Sequence, residues 1–205
     1  MKRLGLLVLL FTFTQPALSF YELDGEFAYD KQLYGTERNN KSVSRSYYAS
    51  FASYFLTLTA LEFNYSTTKD IDTRSDEYKL TGTDYTLTSE QAIIESYSYG
   101  IGLRQAFANK NSFLVPTLSL GYARQITTYS TDYTYRNDLD SSTLFIQGDK
   151  KKQRQDSIFG TFSLKIQLTK NLSLKGSVKT LFPADDFNKA KDYLKYTAGF
   201  SWMFQ

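Results

Sequence analysis

The sequence predicts an all-β fold, an antiparallel up-and-down barrel of eight strands. Apolar residues recur at every second position over much of the chain, which is the period of a β-strand whose two faces meet different surroundings. The composition also favours strands, because 17 Tyr and 16 Phe among 205 residues accompany frequent Thr and Ser. Short and long connections separate the alternating segments, which indicates a barrel whose two ends differ.

The alternation divides the chain into eight segments, most of which separate an apolar face from a polar or small one. The fourth segment is clear: Tyr99, Ile101 and Leu103 share one face, while Gly102 and Arg104 lie on the other. The second segment is ambiguous, since both of its faces carry aromatic and small residues. The predicted strands comprise residues 21–35, 44–56, 59–69, 92–107, 113–130, 156–169, 172–182 and 194–204.

The connections between these segments favour a membrane barrel. Three of them are only a few residues long, whereas two others run to roughly two dozen residues. Tight turns at one end and long loops at the other are typical of a transmembrane β-barrel with short periplasmic turns and longer extracellular loops. The second face is mostly Gly, Ser, Thr and Ala, which suits the narrow interior of an eight-stranded barrel. A soluble exported barrel or sandwich is the alternative for the same alternation.

The first nineteen residues differ from the rest of the chain. Lys2 and Arg3 precede an apolar stretch, which Pro16 and a small-residue site follow. This order predicts a signal peptide over residues 1–19 and a barrel domain over residues 20–205. Removal of two basic residues leaves a net charge of 24 − 2 − 21 = +1, which does not predict nucleic-acid binding. No apolar run approaches the ~20 residues that a helical membrane span requires.

Together with the signal peptide and the eight strands, the spacing of four aromatic residues near position 200 resembles a known family. This pattern is similar to that of the small outer-membrane barrels of Gram-negative bacteria, of the OmpA and OmpX type. The resemblance implies a monomeric barrel in the cell outer membrane, with a structural or adhesive role at the cell surface. It also implies that the barrel assembly machinery reads an aromatic signal, which here comprises Tyr196, Phe200, Trp202 and Phe204.

Charged residues on the polar faces are expected to point into the lumen. We expect them to form a paired network, because burial of a charge without a partner costs on the order of several kcal/mol. Glu62 and Arg104 should lie at similar depth, as should Asp30 and Lys195 at the opposite end. Such a network would plug the barrel, and a narrow ion-conducting pore is the alternative. The predicted network comprises Asp24, Glu26, Asp30, Glu62, Arg104, Lys165, Lys175, Lys179 and Lys195.

The long loops carry two further signals. One is a set of basic residues that could bind lipopolysaccharide phosphates through charge-assisted hydrogen bonds, although a charged loop is often only solvated. This set comprises Arg124, Lys150, Lys151, Lys152 and Arg154. The other signal is that parts of the loops are themselves strand-like, so their unpaired edges could accept a strand from a surface protein.

The composition argues against an enzyme and against a bound cofactor. The chain has no histidine to act as a general base and no cysteine to act as a nucleophile or to form a disulfide. The segment from Asp138 to Asp149 approaches the spacing of a calcium loop, but Thr143 stands where such a loop needs glycine. We therefore expect no catalytic, cofactor or metal site.

Overall fold

The structure, a computed structural model, describes residues 20–35, 38–109, 111–184, 186 and 193–204. The signal peptide predicted for residues 1–19 lies outside this range. None of the described residues forms a helix that could cross a bilayer. The strands are β1 (Tyr21–Tyr34), β2 (Asn40–Tyr54), β3 (Thr59–Arg74), β4 (Tyr78–Lys79), β5 (Tyr85–Ala106), β6 (Leu114–Asn137), β7 (Thr143–Gln147), β8 (Lys151–Gln167), β9 (Leu172–Pro183) and β10 (Lys195–Phe204).

Eight of these strands form a closed ring. The order around it is β1-β2-β3-β5-β6-β8-β9-β10, and β10 closes the ring by pairing antiparallel with β1. All pairings within the ring are antiparallel. The prediction of an eight-stranded antiparallel barrel is confirmed. Closure leaves the ring without a free edge along the paired part of each strand.

The barrel wall places apolar side chains outside and charged side chains inside, the reverse of the distribution in a soluble protein. On the outer face, the side chains of Leu103 and Trp202 are 56% and 55% exposed, whereas the inward-facing Glu62 and Arg104 are only 2% and 1% exposed. Large apolar side chains cover the outside of all eight ring strands. The exceptions are positions that hold glycine, a small residue or an exposed charged residue. This arrangement suits an apolar solvent outside and a polar lumen inside.

The lumen is closed by apolar side chains at the end where the short turns lie, here called the short-turn end. Phe20, Ala52, Tyr54 and Ala60 form a buried cluster there, and Met203 packs against it. The rings of Phe20 and Tyr54 stack with centroids 4.1 Å apart. The opposite end of the barrel, which carries the long connections, is called the long-loop end.

The long connections are shorter than predicted, because β5 and β6 continue far into them. These strands contain 22 and 24 residues, and they pair from Ala106–Thr117 up to Tyr85–Asn137. At about 3.3 Å per residue, β5 is roughly 70 Å long, well beyond an apolar band of about 25 Å. The alternation of apolar side chains fades above the band, and for that reason the sequence indicated loops there.

Above the band, four strands form a sheet in the order β4-β5-β6-β7, here called the protruding sheet. Asp138 links three segments at the tip of this sheet. Its carboxylate accepts a hydrogen bond from Thr86 Oγ1 at 2.9 Å and forms an ion pair with Lys79 Nζ at 3.1 Å. The hydrogen bond from Thr86, followed by that from Lys79, lowers the pKa of the Asp138 carboxyl below its ordinary value. Gly148 lies where the backbone bends between β7 and β8, and a Cβ there would meet Thr131 O at 2.1 Å.

Candidate functional site

Arg104 is the centre of a buried cluster of charges in the lumen. It projects inward from β5 and is 1% exposed. Its Nε donates to Glu62 Oε2 at 2.8 Å, and its Nη1 donates to Glu22 Oε1 at 2.8 Å. Its Nη2 donates to Asp24 Oδ2 at 2.7 Å and to Ser50 Oγ at 3.0 Å. The planar guanidinium therefore binds three carboxylates at once through donors whose directions are fixed.

Three lysines on the opposite wall complete the cluster. Lys165 Nζ lies 2.8 Å from both carboxylate oxygens of Glu22. Lys175 Nζ contacts Asp24 Oδ2 at 2.6 Å and Glu26 Oε1 at 3.1 Å. Lys179 Nζ lies 2.9 Å from Glu26 Oε1. These contacts connect β1 to β8 and β9, so the cluster spans the lumen from wall to wall.

The charges of this ion cluster cancel. Four carboxylates, −4, meet four cations, +4, for a sum of zero. Hydroxyl groups donate additional hydrogen bonds to carboxylate oxygens that already meet a cation: Ser119 donates to Glu62 Oε2 at 2.5 Å and Tyr54 donates to Glu22 Oε2 at 2.9 Å. The members of the ion cluster are Glu22, Asp24, Glu26, Glu62, Arg104, Lys165, Lys175 and Lys179.

Alternation places most of the residues predicted for the lumenal network together, but the structure differs from the prediction at both ends of β1. Asp30 is exposed, and its carboxylate accepts a hydrogen bond from Gln32 rather than meeting Lys195. The reason is that pairing of β1 with β10 ends at Phe27–Ala198, short of the position where Asp30 would face Lys195. Glu22, which the sequence analysis missed, is fully buried. Its position two residues before Asp24 was the available signal.

A phenylalanine ring lies directly above the ion cluster. Phe159 points inward from β8 and is 5% exposed. Two adjacent glycines make room for it: a Cβ on Gly102 would lie 2.6 Å from Phe159 Cζ, and one on Gly121 would lie 2.5 Å from Phe159 Cε1. Glycine at these inward positions therefore allows a large ring inside a narrow barrel.

A cavity with polar and apolar walls occupies the lumen between the ion cluster and the long-loop end. Its volume is about 310 Å³, and it is here called the upper cavity. Glu62, Phe159 and Lys179 line its lower part, and its rim includes the half-exposed rings of Tyr129 and Tyr193. Lys195, which lies outside the ion cluster, borders this cavity and donates to Ser46 Oγ at 3.2 Å.

The basic residues predicted to meet lipopolysaccharide lie on the outside of the molecule, towards the long-loop end. Arg124 is exposed on β6 and pairs with Asp156 on β8, with Nε 3.1 Å from Oδ1. The other four are exposed in or immediately before the first residues of β8; they are Lys150, Lys151, Lys152 and Arg154. The aromatic residues of the predicted assembly signal, Tyr196, Phe200, Trp202 and Phe204, all lie on the exposed face of β10.

Known structures with the same architecture are outer-membrane β-barrels. The N-terminal β-barrel domain of OprF from Pseudomonas aeruginosa superposes with a TM-score of 0.51 and 14% identity, covering 91% of this chain and 97% of that one. OprG from the same organism gives a TM-score of 0.53 and 16% identity, covering 91% and 96%. No protein-family model matches the chain, and no curated protein matches its sequence.

Proposed function

From the premise that this chain has the fold of the small eight-stranded outer-membrane β-barrels, we propose that it mediates contacts at the bacterial surface through its protruding sheet. The exposed apolar band accounts for a location in the outer membrane, with the long-loop end outside the cell. The observation that carries the proposal is the free edge of β7, which pairs with β6 alone among the described strands.

The side chains of this edge favour association. All five residues of β7 are exposed, and Leu144, Phe145 and Ile146 form its apolar centre. An exposed apolar edge strand offers unpaired backbone groups and a surface that a partner strand can cover. Folded proteins usually protect such an edge, so its presence on the outside of the cell supports a role in binding.

The charges beside the edge indicate what kind of partner fits. The flank that follows β7 carries Lys150, Lys151, Lys152 and Arg154 against Asp149 and Asp156, a net charge of +4 − 2 = +2, whereas the turn before β7 carries Asp138 and Asp140. Two copies of this chain would repel each other there, whereas an acidic extended segment would be attracted. The proposed partner is therefore a surface protein with an acidic strand, and the barrel itself is monomeric.

Site-specific photo-cross-linking on intact cells tests this proposal. A photoreactive phenylalanine analogue at Phe145 should yield cross-linked partner protein, whereas the same analogue at Phe113, which is equally apolar but lies at the short-turn end, should not. Heat-modifiable migration on a gel verifies that each variant is folded. The proposal is contradicted if deletion of residues 132–150 leaves whole-cell pull-downs unchanged in a protein that still folds.

The lumen has a structural role in this proposal. A neutral, hydrogen-bonded cluster that spans the lumen supports a plug rather than a pore, because ions could pass only if several buried pairs separated together. A narrow ion-conducting pore is the second candidate.

The outward aromatic residues of β10 support a further part of the proposal, recognition by the barrel assembly machinery. Phe200 and Trp202 are each 55% exposed on the lipid-facing side. Replacement of Phe200 by serine should lower the fraction of folded protein in the outer membrane of growing cells. The matched change Tyr65→Ser, on the lipid-facing side of β3, should have a smaller effect. Equal effects of the two changes would remove any special role of β10.

A further inference from the structure

The upper cavity has the size and chemistry of a ligand site, independently of the protruding sheet. Its volume of about 310 Å³ lies at the lower end of the range for small-molecule pockets, about 300 to 1,000 Å³. The walls are rich in hydroxyl and amide groups, which Asn64, Ser66, Thr127 and Gln155 exemplify. These groups can bind a polar ligand by hydrogen bonds, while side chains such as Ile94 and Phe159 add apolar contact.

Lys195 provides a positive charge in this cavity, and the Asp70 carboxylate attracts it from beyond ion-pair distance. Its one hydrogen bond goes to Ser46 Oγ at 3.2 Å, and Ser46 in turn contacts Thr68 Oγ1 at 2.9 Å. Within the described part of the chain, no carboxylate oxygen lies within 4.0 Å of Lys195 Nζ, in contrast to the lysines of the ion cluster. A lysine has three N–H donors, so Lys195 retains capacity for an anion.

Asp70 supplies an unsatisfied acceptor in the same cavity. It lies two residues beyond Thr68 on the same face of β3, and it lines the cavity. Its Oδ1 is buried and has no hydrogen-bond partner among the described residues. A buried polar atom without a partner is destabilising, and a ligand hydroxyl group would satisfy it.

We propose that the upper cavity binds a sugar acid of one ring, with its carboxylate on Lys195 and its hydroxyl groups on Asp70 and the polar walls. Tyr48 and Tyr129 line the cavity. Lys179 Nζ covers one face of the Tyr48 ring at 4.8 Å from its centroid, so Tyr129 is the better candidate for stacking against the sugar. The ion cluster closes the lumen below, so the ligand enters and leaves at the long-loop end. The site is a binding cup on the outside of the cell and goes beyond the role proposed for β7.

Calorimetric titration of the folded protein in detergent tests this assignment with D-glucuronate as the probe. The neutral sugar D-glucose and the cationic sugar D-glucosamine have the same ring and serve as comparisons. D-glucuronate should bind at least about tenfold more tightly than either comparison, the size expected for one charge-assisted hydrogen bond. Equal affinities for D-glucuronate and D-glucose, stronger binding of D-glucosamine, or no heat with D-glucuronate would overturn the proposal.

Variants separate the cavity from the rest of the surface. Lys195→Met should weaken D-glucuronate binding by about tenfold or more, and Lys195→Arg should restore most of the lost affinity. Asp70→Asn should weaken D-glucose binding more than D-glucuronate binding, because removal of this carboxylate also removes its repulsion of the ligand anion. Lys31→Met, which removes an exposed lysine from the outer face of β1, should leave binding unchanged. Heat-modifiable migration identifies folded variants, and a folded Lys195→Met protein that binds as tightly as the original chain would contradict the assignment.

Discussion

Arg104 Nη1 donates to Glu22 Oε1 across 2.8 Å, although β5 and β1 are separated in the ring by β2 and β3. The contact therefore crosses the lumen rather than following the wall. Together with Lys165 and Lys175, it braces the cross-section of the barrel from the inside. A cross-brace of this kind depends on every member being paired, because each is removed from water.

Replacement of Arg104 by methionine should destabilise the folded barrel strongly. The change leaves three buried carboxylates without their shared cation, and loss of one partner from a buried ion pair typically costs about 3–5 kcal/mol. Urea unfolding in lipid vesicles measures the free energy.

The matched control for that experiment is Arg124→Met. Arg124 and Asp156 form an exposed pair with side chains about half accessible, and exposed pairs contribute about 0–1 kcal/mol. Comparable losses for the two variants would show that the ion cluster does not brace the barrel.

The conductance of the reconstituted protein distinguishes a plug from a pore. In planar bilayers, the original chain should show no sustained current, because the ion cluster spans the lumen. Glu62→Ala should also remain closed, since Glu22 and Asp24 still hold Arg104 in place. A stable current that appears on this single substitution would instead favour a gate in which ion pairs exchange partners.

The glycines under Phe159 should be intolerant of side chains. A Cβ on Gly121 would lie 2.3 Å from Ile101 O and 2.5 Å from Phe159 Cε1, so Gly121→Val requires the wall or the ring to move. We expect a large loss of folded, heat-modifiable protein. Gly176→Val is the control, because nothing lies within 4 Å of a Cβ at that position. Equal folding yields for the two variants would contradict this packing.

The outward basic residues should contribute to stabilisation by lipopolysaccharide. Addition of lipopolysaccharide should raise the melting temperature of the original chain, and the double change Lys152→Gln and Arg154→Gln should reduce that rise, because charge-assisted bonds to phosphates are lost. Lys170→Gln, at an exposed lysine of the short-turn end, provides the control. An unchanged rise in the double variant would show that these residues are only solvated.

The sequence predicted the barrel and most of the ion cluster because a period of two separates lumen from lipid on every strand. Leu103 and Arg104 are neighbours in the chain, yet alternation alone assigns them to opposite faces. Periodicity does not determine where pairing stops, however. Asp30 has the inward parity of Asp24 but lies beyond the last pair of β1 with β10, so it is exposed.

The protruding sheet was harder to predict for a related reason. Above the apolar band neither face of β5 and β6 meets lipid, so nothing in the environment imposes an alternation of apolar and polar side chains there. The pairing of Tyr85 with Asn137 instead depends on backbone hydrogen bonds that continue from the barrel wall. Glu22 was not predicted for the lumen, although it lies inside the predicted strand 21–35 and has the inward parity of Asp24.

The central claim, that apolar side chains face lipid while charges face the lumen, can be tested at Trp202. This residue is the single tryptophan of the chain and lies 55% exposed on the outer face. In vesicles of phospholipids that are brominated on the acyl chains near the headgroup, its fluorescence should be strongly quenched, while aqueous acrylamide should have little effect. Strong quenching by acrylamide with no effect of the brominated lipids would contradict the claim.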